Sequence, residues 1–198
     1  MHLLAATPGR TTDGAEAVDL GQSPGEIVIL SAADTELACL AQAQAQIQAR
    51  NQFRSGAATP ALRLANLMQL AHNLSVDLYV EQVIAKAKLV VVRLIGGTGY
   101  WPYGIEQIAG IAREKGIALA FIPGDDQTDA ELMSQSTLPA QTVQRIWGYF
   151  LHGGIDNAIA LLNHAGTLIG EGAPWAEPAP LMRCGLYWPG LEMPGLED

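Results

Sequence analysis

Two runs of uninterrupted apolar residues constrain this chain more than any other feature: Ile27-Val28-Ile29-Leu30 and Leu89-Val90-Val91-Val92. A strand with one wet face alternates apolar and polar residues, whereas a continuous run means that both faces are covered. The runs therefore predict strands of a parallel sheet sandwiched between helices. Strands are expected at residues 2–6, 27–30, 62–67, 89–94 and 118–122. Helical spacing lies between them. Ser31 and Asp34 read as a capping box opening an Ala/Gln-rich helix to about Gln48. Val76, Tyr79, Val80, Val83, Ile84 and Ala87 form a second stripe, with Ser75 as its N-cap. Ile105, Ile108, Ala109 and Ala112 form a third, ending near Gly116. Strands alternating with helices of this length imply βαβ units. The expected fold is α/β, a Rossmann-like or flavodoxin-like parallel sheet flanked by helices, over residues 1–125.

The pattern changes after Pro123. Thr128 and Glu131 suggest another capping box. Pro139 opens a helix whose stripe is Val143, Ile146, Trp147, Phe150 and Leu151, stopped by Gly153-Gly154. A further helix carries Ile155, Ala158, Ile159 and Leu162 on one face. This pair, residues 126–169, is a helical extension that either packs on the sheet or stands as a small subdomain. Residues 170–198 form a tail rich in Gly, Pro and aromatics. Exposed tryptophans forgo burial, so the tail is expected to lead into further domains.

Composition narrows the function classes. A chain of 198 residues, 49% hydrophobic, can bury a core without disulfides. Cys39 and Cys184 are remote in sequence and read as free thiols of a reducing compartment. The net charge of −9 argues against nucleic-acid binding, which needs Lys and Arg to displace counterions. The apolar residues 1–6 are too short for a signal peptide core, and no run approaches the ~20 residues of a membrane helix. The run from Leu89 ends, on sequence, at Arg93.

In open parallel sheets, ligands bind beyond the carboxyl ends of the strands. Three loops qualify. Ser31 and Asp34 follow the second expected strand; they either cap a helix or contact a ligand at its N-terminus. Gly96, Gly97, Gly99, Tyr100 and Trp101 follow the fourth: glycines admit close backbone approach, and the aromatics offer flat surfaces or pack inward. Pro123-Gly124-Asp125-Asp126 follow the fifth; Asp125 is a candidate ligand contact, though Gly-Asp is also ordinary turn chemistry. The glycine loop lacks the P-loop lysine, and Pro102 stands where G-x-G-x-x-G needs its third glycine, so nucleotide binding is not expected there. His2, His72, His152 and His164 have no zinc spacing, and no nucleophile elbow is present. No catalytic constellation and no metal site can be assembled.

An ordered series of stretches carries a family resemblance. It begins with Met1-His2-Leu3-Leu4-Ala5, Ala17-Val18-Asp19-Leu20-Gly21-Gln22 and Leu30-Ser31-Ala32-Ala33-Asp34-Thr35-Glu36-Leu37. It continues with Leu62-Arg63-Leu64-Ala65-Asn66-Leu67, Ser75-Val76-Asp77-Leu78-Tyr79-Val80 and Val92-Arg93-Leu94-Ile95-Gly96-Gly97-Thr98-Gly99-Tyr100-Trp101. It closes with Pro123-Gly124-Asp125-Asp126 and Cys184-Gly185-Leu186-Tyr187-Trp188-Pro189-Gly190. In this order they resemble the amino-terminal region of the aerobic cobaltochelatase large subunit, the CobN family, itself related to the magnesium chelatase large subunit. The resemblance implies a cytoplasmic ligase of cobalamin biosynthesis that inserts Co²⁺, its substrate metal, into the tetrapyrrole hydrogenobyrinic acid a,c-diamide. It implies AAA+ partner subunits that use ATP and Mg²⁺, with no cofactor held by this stretch itself. Family members are several times longer, so no catalytic residue carries over. A non-catalytic module docking chelatase subunits, a magnesium-chelatase-type fragment and an independent flavodoxin-like enzyme are the alternative readings.

Overall fold

The computed structural model describes residues 16–52 and 59–181. The strand expected at residues 2–6, Cys184 and the end of the tail lie outside them. Among the described residues four parallel strands form one sheet: β1 (Ile27–Ser31), β2 (Leu62–Asn66), β3 (Leu89–Leu94) and β4 (Ala118–Pro123). Their order is β2-β1-β3-β4, all neighbours parallel. The continuous apolar runs are explained directly, since every residue of β1 and β3 is buried.

Two layers of helices cover the sheet. One face carries Val28, Leu30, Val90, Val92, Leu119 and Phe121. It packs on α2 (Asn73–Gln82) and α3 (Pro102–Lys115). The other face carries Ile27, Ile29, Leu89, Val91, Ala120 and Ile122. It packs on α1 (Asp34–Gln52), α5 (Ala140–His152) and α6 (Ile155–Leu168). The helical pair is thus part of the sheet's second layer. A short α4 (Ala130–Ser134) links β4 to α5. No helix of the described residues is long and apolar enough to cross a membrane.

Local signals succeed where they depend on backbone geometry. Gly116 ends α3 in the left-handed conformation at φ 68°, and Gly153 and Gly154, at φ 67° and 82°, end α5. Three capping expectations need correction. Ser75 is not an N-cap: α2 starts earlier, capped by His72, whose Nδ1 accepts the Leu74 N–H at 3.1 Å. Ser75 is buried inside the helix, its Oγ accepting the Val18 N–H at 2.7 Å, which ties residues 16–25 to this layer. Asp129, not Thr128, caps α4 by accepting the Leu132 N–H at 2.9 Å. Ser31 is the last residue of β1 rather than the cap of α1; its Oγ accepts from Ala33 N–H at 3.1 Å. In α5, Leu151 is exposed and Tyr149, which the stripe omitted, is buried.

Candidate functional site

The strand order places a topological switch point between β1 and β3, whose following helices leave to opposite faces. Ligand crevices in such sheets open there, at the carboxyl ends. Register puts Asn66, Ser31 and Arg93 in one row across that edge, on the α1/α5/α6 face. A cavity of about 180 Å³ lies over it, lined by Ser31, Ala32, Ala33, Glu36, Arg93, Ile95 and Gly124.

Arg93 organises this crevice. Arg93 lies within β3, which spans Leu89–Leu94 as expected, and is 9% exposed. Its guanidinium ion-pairs with Glu36 of α1. It also donates through Nε to Pro123 O at 3.2 Å and through Nη2 to Gly124 O at 2.9 Å. The Phe150 ring lies 5.4 Å from its Cζ. Burial draws its pKa down and the nearby Asp125 carboxylate opposes this. Glu36 completes the group by accepting the Ser31 hydroxyl at 2.7 Å on its other carboxylate oxygen. One buried cation therefore joins β1, α1, β3 and the loop after β4. The sequence places Arg93 inside the strand expected at 89–94 but shows no role for it, because its partner Glu36 is carried by another element.

The expected site residues are partly gathered here. Ser31 lines the cavity. Asp34, in the first turn of α1, accepts the Asn66 side-chain amide at 2.6 Å. Asp125 is held in a turn, its Oδ1 accepting the Gln127 N–H at 3.1 Å, while its carbonyl accepts the Trp147 indole N–H at 3.2 Å. Gly96 and Gly97 turn the chain at φ 91° and 67°. At Gly97 a Cβ would stand 2.8 Å from one oxygen of the Asp129 carboxylate, a side-chain end that can move aside, so it is the positive φ that favours glycine there. Gly99 is exposed. The two aromatics separate. Tyr100 is 55% exposed, its hydroxyl donating to Met68 Sδ at 3.4 Å. Trp101 is buried, and its indole N–H donates to Leu70 O at 3.0 Å. Its ring lies across Gly104, where a Cβ would collide with it.

The loops around the buried Arg93 carry one charge sign. These loops, residues 31–36, 66–72, 95–101 and 123–131, hold Asp34, Glu36, Asp125, Asp126, Asp129 and Glu131 and no lysine or arginine. Among the described residues, no group of three or more His, Cys, Asp or Glu is placed to hold a metal ion. Cys39 is a free, half-buried thiol whose pKa burial raises. The Ser31 hydroxyl meets a carboxylate, Glu36, that Arg93 already engages; around them the arrangement supplies a polar crevice, an exposed tyrosine and an acidic rim.

Strand order and switch-point crevice define a parallel α/β domain of the flavodoxin-like kind. Within that class the chain is homologous to a stretch of the aerobic cobaltochelatase subunit CobN. It is 44% identical over 199 aligned residues to the CobN subunit of a Sinorhizobium species, covering 100% of this chain and 15% of that protein. It is 40% identical over 190 residues to the CobN subunit of Pseudomonas aeruginosa, covering 96% of this chain and 14% of the relative. The fold matches part of the catalytic subunit of cobaltochelatase from Mycobacterium tuberculosis, with a TM-score of 0.60 and 27% identity over 82% of this chain and 12% of that one. No family model matches the chain. The chain thus spans about one seventh of the curated relatives' length.

Proposed function

We propose that this chain acts as the amino-terminal domain of a cytoplasmic, ATP-dependent cobaltochelatase large subunit of aerobic cobalamin biosynthesis. In that reading the whole subunit inserts Co²⁺ into hydrogenobyrinic acid a,c-diamide, and AAA+ partner subunits bind ATP and Mg²⁺. This domain contributes a wall and leaves insertion chemistry to other parts. The observation that carries the reading is the 44% identity across the entire chain to a subunit of which it spans only 15%. The proposed contact is the loop with Gly96, Gly97, Gly99 and Tyr100, beside the crevice of Ser31, Asp34 and Asp125. Tyr100 is the exposed flat ring, suited to stack on a macrocycle. Trp101 supports the loop from below. Tyr100→Ser in a full-length subunit is expected to weaken tetrapyrrole affinity about tenfold, roughly 1.4 kcal/mol, as read by fluorescence titration. Unchanged affinity removes the ring contact.

A second reading, docking of chelatase subunits, is favoured by the acidic rim around exposed Met68, Ile95 and Tyr100. Such a surface suits a basic partner and repels carboxylate side chains. Reversing Asp125, Asp126 and Glu131 to lysine in the full-length subunit is then expected to lower its association rate with the ATPase subunits at low salt. Stopped-flow measurements at two ionic strengths would check this; rates that do not change remove the docking role.

A further inference from the structure

Beyond α6 the described chain does not leave the domain. Residues 174–181 run as an extended strap across α5 and α6, gripped mainly through their own backbone. The Asn163 side-chain amide donates to Pro174 O at 3.3 Å, and the Tyr149 hydroxyl to Ala176 O at 2.6 Å. Asn157 holds Ala179 from both sides, donating to its carbonyl at 2.8 Å and accepting its N–H at 3.0 Å. Arg145 pairs with Glu177 at 2.8 Å. Trp175 is the strap's anchor. Its ring lies 4.4 Å from that of His164, with the Arg145 guanidinium 5.1 Å from its centre. The expected tail is therefore, as far as residue 181, a docked element of this domain.

His164 lies beneath the anchor. It is 3% exposed, and its Nδ1 is buried without a hydrogen-bond partner. Tyr149 closes the α5 side, its ring centre 6.0 Å away. A neutral imidazole tolerates this site as an unsatisfied acceptor. A protonated one would bury both a charge and an N–H with no acceptor.

We propose that residues 174–179 form a releasable latch on the α5–α6 face, closed while His164 is neutral and opened when it binds a proton. The charged groups facing His164 are Arg145 of α5, which repels the imidazolium, and Glu177 of the strap, whose carboxylate is already engaged by Arg145. Tyr149 carries no charge near neutrality, its pKa pushed up to about 12 chiefly by burial. Burial first and Arg145 second lower the pKa of His164, against Glu177. The sign follows: the closed state binds fewer protons than the open one. Closure is complete above the ordinary histidine value of 6.5 and weakens as pH falls below it. Glu177 stays ionised through that window, since its hydrogen bond to Arg145 holds its pKa below the usual value. Just past the latch, Leu181 lies against Gly154. The inference does not depend on the chelatase reading.

Hydrogen exchange on the 198-residue chain tests it, with rates corrected for intrinsic pH dependence. The strap peptide containing the Ala179 amide is expected to lose protection at least tenfold between about pH 7.5 and 5.5 while β1 and β3 stay protected. His164→Phe, which cannot be protonated, is expected to keep the strap protected at the lower pH. Asn157→Ala is expected to release it at both. Equal strap protection at both pH values, a strap already unprotected at the higher one, or His164→Phe following the wild type would each overturn the latch. Should His164→Phe leave β3 unprotected, direct NMR titration of His164 in the wild type decides: a value at or above 6.5 overturns the proposal, and a depressed one supports it.

Discussion

Glu36→Ala is expected to lower the unfolding free energy by about 3–5 kcal/mol, the range for stripping a buried ion of its partner. The Arg93 side chain is 10% exposed and that of Glu36 24%, so solvent screens the pair weakly. Without Glu36 the guanidinium keeps the Pro123 and Gly124 carbonyls as hydrogen-bond acceptors, with the Phe150 ring and the Asp125 carboxylate nearby, and the Ser31 hydroxyl loses its acceptor. Urea melts would read the loss as a lower midpoint at unchanged slope. The double variant Glu36→Leu, Arg93→Met is expected to recover most of the stability, because replacing a buried pair by packed apolar groups is often neutral. A double variant no more stable than Glu36→Ala would sink the ion-pair account.

Trp101→Ala is expected to cost a similar amount, about 3–5 kcal/mol, because a large buried ring leaves a cavity and the Leu70 carbonyl loses its donor. Its neighbour behaves differently. Tyr100→Ala, at an exposed position, is expected to change stability by no more than about 0.5 kcal/mol. Thermal melts of the two single variants would separate them. This matters for function: a combined Tyr100 and Trp101 change would damage the domain, so a lost ligand affinity would carry no information about contact. Tyr100 alone is the usable probe. If Trp101→Ala melts like the wild type, the indole is not the support it is described as.

Legibility followed the physics of each signal. The runs at 27–30 and 89–92 were readable because burial on both faces acts on every residue of a central strand. Gly116 and Gly153 were readable because a helix exit at positive φ favours glycine whatever surrounds it. Capping was read less well. Ser75, Thr128 and Ser31 all have the chemistry of a cap, but the helices begin one to three residues away, where His72 and Asp129 offer acceptors at the right height. The candidate site divides the same way. The three loops were legible from the rule that crevices open beyond strand ends. The outward turn of Tyr100 and inward turn of Trp101 were not, because adjacent residues of one type carry no sign of direction.

What this sequence determined alone is a doubly covered parallel sheet and the loops at its carboxyl edge, since hydrophobic periodicity is a local property. Only the tertiary structure decided the strand order, the burial of Arg93 against Glu36 and the docking of residues 174–181 over His164. Each joins groups distant along the chain: Arg93 and Glu36 meet because β1 and β3 are neighbours, and the strap finds His164 because α5 and α6 pack side by side. A charge inside an apolar strand shows no role until its partner, carried by another element, is brought beside it.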